Sequence, residues 1–145
     1  MATILKTARS GDTMNFLLIP LLLFVPVPQS AHPPDAVVER LAKTGVFAFG
    51  PVGYAAIISH GEKDYRTVFN RSSALEDFEK LYSSGNLQAK CYALVGIHKL
   101  DPTRFKELVQ PLRDSKETLN TMTGCILSRE AFGAVIKQIE SGRFS

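Results

Sequence analysis

The sequence contains no tryptophan, two cysteines and three histidines, and each scarcity closes off a class of function. The histidines stand alone at positions 32, 60 and 98, and the cysteines at 91 and 125, with no C-x-x-C or H-x-x-x-H pairing. Metal sites are built from locally clustered ligands, so no metal site is expected. Walker, G-x-S-x-G and H-E-x-x-H patterns are also missing. With them go the common phosphate-cradling, serine-hydrolase and zinc-protease chemistries, and no catalytic residue or cofactor is assigned. A concentrated basic face is lacking as well. The net charge is +3, but past residue 31 there are 15 Lys and Arg against 13 Asp and Glu, alternating along the chain. A nucleic-acid partner is not expected from so dispersed a charge. Eight prolines and ten glycines are too few for a fibrous or disordered chain of 145 residues.

One long apolar run is present, and it lies near the start. Residues 14–28 read MNFLLIPLLLFVPVP, with an uncharged core of about ten residues preceded by Lys6 and Arg9. That is the length of a signal-peptide core and too short to span a bilayer. Pro20, Pro26 and Pro28 also disfavour a membrane helix, since proline lacks the N–H donor. The expectation is a leader over residues 1–31, with Met14 as an alternative start, and a linker at 32–34. Export to the periplasm or the medium follows, with no membrane span left after cleavage.

The remainder, residues 35–145, reads as one domain of short helices. Asp35 caps DAVVERLAKTG, with Val37, Val38 and Leu41 as the apolar stripe and Gly45 as the stop. Ser59 and Glu62 have capping-box spacing ahead of Tyr65, Val68 and Phe69, and Ser73 and Glu76 repeat it ahead of Leu75, Phe78, Leu81 and Tyr82. LQAKCYALVGIHKL, residues 87–100, is apolar nearly all round, as befits a central helix. Asp101 and Pro102 open the next helix, whose stripe is Phe105, Leu108, Val109 and Leu112. RDSKETLNTMTG, residues 113–124, reads as a polar loop, and Ser128 as the cap of a last helix burying Phe132, Val135, Ile136 and Ile139. The fold class expected is therefore all-α, a compact bundle of about six short helices.

VFAFGPVGYAAIIS, residues 46–59, stands apart. Its glycines and proline mark a turn between two apolar runs, fitting either a small β-hairpin near 46–58 or a buried irregular crossing. Its backbone is the candidate binding surface, with Phe49, Gly50, Gly53 and Tyr54 as the residues named. A protein or peptide is the partner expected for such a segment and for the grooves between helices.

Residues 74–112 resemble a helical hairpin of the HEAT type, AKCYALVGIHKLD being similar to its A-x-x-A-L helix, although no period recurs elsewhere in the chain. The longer pattern SHGEKDYRTVF, AKCYALVGIHKLDPTRF and TMTGCILSREAF resembles a group of small exported bacterial helical proteins with two cysteines. The resemblance implies export and a matching place for both cysteines, and it carries no activity.

For an exported chain, two cysteines leave a single intramolecular pairing. A Cys91–Cys125 disulfide would close 33 intervening residues and stabilise the fold by roughly 3–4 kcal/mol through loop entropy. The expected role is thus an exported binding or structural module stapled by one disulfide. The alternative is a thiol-dependent enzyme or redox protein using Cys91 or Cys125. The nearest imidazole in sequence to Cys91 is His98, about 10 Å along a helix, which is too far for direct proton transfer.

Overall fold

The computed structural model describes residues 35–144. The expected leader, the alternative start at Met14 and the linker at 32–34 lie outside the described residues. Among the described residues there are six α-helices, α1 (Ala36–Ala42), α2 (His60–Phe69), α3 (Ala74–Ser84), α4 (Leu87–Leu100), α5 (Pro102–Val109) and α6 (Phe132–Glu140). They are joined by four strands, β1 (Phe47–Val52), β2 (Ile57–Ile58), β3 (Thr118–Gly124) and β4 (Ile126–Ala131), which form one sheet in the order β2-β1-β3-β4. The all-α expectation is therefore overturned: the fold is a mixed α/β arrangement.

The error lies in two places. The segment read as a polar loop contains β3, and the residues read as the approach to the last helix form β4. Thr118 pairs with Ala131 through to Thr123 with Ile126, and a two-residue Gly124–Cys125 turn closes this antiparallel hairpin. Ser128, expected as a helix cap, faces Thr121 in mid-strand. Only β3 shows the alternation that marks a half-buried strand, with Leu119 and Thr121 buried between less buried neighbours. One of those two inward residues is a threonine, so the hydrophobic signal is faint. Strand β4 has no buried residue at all. The small hairpin near 46–58 does form, as β1 against β2, but its turn spans Gly53 to Ala56 rather than GPVG at residues 50–53.

Strands β1 and β3 run parallel at the centre of the sheet. Their register shifts between the pairs Ala48–Met122 and Val52–Gly124, so β1 carries extra residues there. Gly50 sits in this bulge at φ +79°, a conformation that glycine adopts without steric penalty.

The helical predictions fare better because each rests on a physical stop or start. Asp35 accepts the N–H of Val37 at 2.9 Å, and Asp101 accepts those of Thr103 and Arg104 at 3.1 and 3.0 Å. Helix α4 is the central element, with Cys91 through Ile97 buried without interruption. It packs on α3, α5, α6 and the β1–β3 pair. Phe78, Phe105, Phe132, Val135, Ile136 and Ile139 are buried as the spacing predicts. The second expected capping box does not form: Ser73 makes no cap bond, and its hydroxyl donates to Asp77 at 2.9 Å instead.

The disulfide expectation is also overturned. Both cysteines are free, and they are not within disulfide distance. Cys91 lies buried in α4, where its thiol feels the charge of Glu130. Cys125 is exposed at the hairpin turn. Glu130 stands five positions beyond Cys125 along β4, about 17 Å of extended chain, whereas a disulfide needs Cα atoms within about 7 Å.

Candidate functional site

Three features of β1 and α2 build a cleft. First, the bulge turns the amide of Gly50 away from the β3 ladder, and Glu62 accepts it through Oε2 at 2.8 Å. Glu62 is only 2 % exposed. Its other oxygen, Oε1, accepts Nε and Nη2 of Arg66, one helical turn on, at 3.0 and 2.6 Å. The capping box read from sequence is thus half formed. Ser59 Oγ does accept the N–H of Glu62 at 3.0 Å, but the glutamate reaches across to the sheet rather than back to its own helix start.

Second, the i, i+3, i+4, i+7 spacing of Glu62, Tyr65, Arg66 and Phe69 brings them to one side of α2. All four line a cleft of about 540 Å³ together with the bulge. That volume falls in the range of small-molecule sites. The aromatic wall is continuous. Tyr65 meets Phe49 at 5.1 Å between ring centroids and Phe69 at 5.7 Å, and Phe49 meets Phe144 at 5.5 Å.

Third, the opposite wall is polar and internally bonded. Thr121 Oγ1 donates to Glu130 Oε1 at 2.6 Å, and Gln138 Nε2 donates to Glu130 Oε2 at 2.7 Å. Arg143 in turn donates from Nη1 to Gln138 Oε1 at 2.9 Å. Strands β3 and β4, the two elements the sequence pattern concealed, supply Thr121 and Glu130 to this wall, and α6 and the turn after it supply Gln138 and Arg143.

Tyr65 is the anomaly. The residue is 3 % exposed, and its hydroxyl is the one buried side-chain polar atom without a hydrogen-bond partner among the described residues. Burial, chiefly, raises its pKa above the ordinary phenol value, so the group is a neutral hydroxyl. Native proteins leave few such groups unpaired, because each forfeits about 1–3 kcal/mol of desolvation. Its position in the wall of a cleft gives that orphan a direction of explanation.

Of the residues named from sequence, Phe49 and Gly50 are on the cleft wall. Gly53 and Tyr54 lie beyond it in the β1–β2 turn, Tyr54 fully exposed. Glu62 and Tyr65 were visible in the sequence only as a cap and a core residue, and Arg66, Lys99 and Glu130 gave no signal there. The spacing Glu62–Arg66 was available as an i, i+4 ion pair, which marks a helix face but not a site.

Neither cysteine enters the cleft wall. Burial, with the charge of Glu130 added, holds the Cys91 thiol well above its ordinary value. A thiol so held is not a nucleophile at neutral pH. Cys125 has no hydrogen-bond or ionic partner among the described residues. No group of three His, Cys, Asp or Glu side chains among the described residues is placed to hold a metal ion. No helix among them is long and apolar enough to cross a membrane.

No protein-family model matches the chain, and no curated protein or solved structure matches it either.

Proposed function

We propose that this chain is a binding module whose cleft takes up an apolar or aromatic group, on the scale of one small molecule or the end of a peptide. The observation that carries the reading is the Tyr65 hydroxyl, desolvated and unpaired in the wall of an aromatic-lined cleft. A ligand that reaches it supplies the partner that folding did not.

The protein's own Phe144 supports the same reading. Its ring seats edge-on against Phe47 at 5.0 Å and tilts over Phe49 at 5.5 Å, so this wall already accommodates an aromatic side chain. Binding is favoured over catalysis because each oxygen of the two cleft carboxylates is already held by a hydrogen bond from the protein, which orients it toward that donor rather than toward a ligand. The apolar run at residues 14–28 supports a place of action outside the cytosol, which N-terminal sequencing of the native protein tests directly.

The binding test uses a neutral fluorophore, N-phenyl-1-naphthylamine. Its emission rises on transfer to an apolar site, and the chain has no tryptophan to interfere. Saturable enhancement by the wild-type chain, lost in Phe49→Asp with the circular-dichroism spectrum unchanged, is the expected result. Enhancement that is absent in the wild type, or equal in the variant, contradicts the assignment.

A further inference from the structure

The polar groups of the cleft do not balance, and the imbalance has a sign. Three cations line it, Arg66, Lys99 and Arg143, against two carboxylates, Glu62 and Glu130. Each oxygen of both carboxylates already accepts a hydrogen bond: Glu62 holds Arg66 on one oxygen and the Gly50 amide on the other, and Glu130 holds Thr121 and Gln138. The cations keep donors free. Arg66 commits Nε and Nη2 and keeps Nη1, and Arg143 commits only Nη1 through its side chain. Lys99 commits nothing. Its ammonium makes no hydrogen bond or ion pair among the described residues and rests at 5.9 Å from the Tyr65 ring centroid and 5.7 Å from that of Phe69. An ammonium has three donors and no acceptor, and a neutral phenol offers a fourth donor. What the site lacks is an acceptor carrying negative charge.

We infer that the cleft is selective for a ligand with an anionic head, a carboxylate on an apolar or aromatic body, whose oxygens take the free donors of Lys99 and the Tyr65 hydroxyl. The inference rests on the binding reading above and adds the chemical class to it. The body lies along Phe49 and Phe69, and the head lies where the ammonium already bridges the Tyr65 and Phe69 rings. The opposite polarity, a cationic ligand in an aromatic cage, is disfavoured because Lys99 occupies that cage and the cleft already holds three cations against two carboxylates. Two sources offer such a head: a free aryl or alkyl acid, and the carboxyl terminus of a peptide ending in an apolar residue.

The experiment is calorimetric titration of the full chain with two matched pairs. One is 4-phenylbutyrate and 4-phenylbutyramide, and the other is N-acetyl-Ala-Phe as its free acid and as its amide. At least one acid is expected to bind about tenfold more tightly than its own amide, the scale of one charge-assisted contact. Whichever pair shows the larger ratio identifies the source. Lys99→Met, at an exposed position, is expected to bring that acid to within about threefold of its amide. Tyr65→Phe is expected to weaken the acid about fivefold without lowering the melting temperature, because it removes an unpaired hydroxyl and leaves the ring. Acids and amides binding equally overturns the inference and leaves the binding reading standing. An acid preference that survives Lys99→Met also overturns it. No binding of any of the four up to about 10 mM, together with no uptake of the neutral fluorophore, overturns both.

Discussion

The hydroxyl of Tyr92 accepts the N–H of Ala48 at 3.0 Å and donates to the carbonyl of the same residue at 2.9 Å. A single side-chain atom thereby stands in for a neighbouring strand. Strand β2 is two residues long and pairs only with Pro51 and Val52, so the rest of the outer edge of β1 has no backbone partner. Tyr92 from α4 and Glu62 from α2 satisfy the amides of Ala48 and Gly50 in its place. Buried backbone groups must be paired, and here helices meet that requirement for a sheet edge. The arrangement also fixes the cleft, because the same glutamate that closes the edge orients Arg66.

Removing that substitute should weaken the fold. Tyr92→Phe leaves the ring and strands both backbone groups of Ala48, apart from a 3.3 Å contact of its carbonyl with Ser59. The expected loss is about 1–3 kcal/mol of unfolding free energy in urea. Hydrogen exchange at Ala48 should accelerate more than exchange in the β3–β4 hairpin. Unchanged stability would show that water replaces the hydroxyl without cost.

Close approach at the same place gives a second prediction. A Cβ built on Gly61 would stand 2.5 Å from the Tyr92 oxygen, and the surrounding ring atoms are also closer than 3 Å. Gly61→Ala should therefore displace Tyr92 from Ala48 and destabilise the protein by about 1–3 kcal/mol, the usual cost of overpacking. In a Tyr92→Phe background the oxygen clash is gone, so part of that loss should be recovered. Strict additivity of the two changes would argue against a shared cause.

Thiol reactivity distinguishes the two cysteines. Cys125 is exposed in the hairpin turn and Cys91 is buried with its pKa raised. Native protein should take up one equivalent of maleimide, at Cys125, and the second only in denaturant. Two thiols silent until reductant is added would restore the disulfide that the fold argues against.

Alkaline pH should unfold the protein, with a sign that follows from its tyrosines. Burial raises the pKa of Tyr65 and of Tyr92 above the ordinary value of 10.0. The unfolded chain gives up these protons first as pH rises. Their contribution to stability is thus fully present below about pH 10 and shrinks above it. The urea midpoint should fall between about pH 10 and 12, and Tyr65→Phe should reduce that fall. A midpoint that is flat across the interval contradicts the assignment.

The helices were legible in the sequence because their ends carry chemistry: Asp35, Ser59 and Asp101 each accept an amide of their first turn. Strands β3 and β4 were not, since one inward residue of β3 is Thr121 and β4 buries nothing. Half of the cleft was hidden with them. Phe49 and Gly50 could be singled out from composition, but Glu130, which lines the same cleft, lies 80 residues beyond Gly50 in a strand without a hydrophobic pattern. The roles of Glu62 and Tyr65 are set by tertiary geometry. The S-x-x-E spacing is equally satisfied by a glutamate that caps its own helix and by one that reaches a strand. The cysteines misled for a related reason, since a single available pairing says nothing about distance.

The cleft between the β1 bulge and α2 is the proposed place where a ligand binds. Chemical-shift mapping of the ¹⁵N-labelled chain, titrated with 4-phenylbutyrate, tests that most directly. The largest shifts should fall on the amides of Gly50, Tyr65, Phe69 and Thr121, and should saturate together with one dissociation constant. Shifts that instead centre on the exposed turns at Tyr54 and Ile126, or that scatter without saturating, would contradict it.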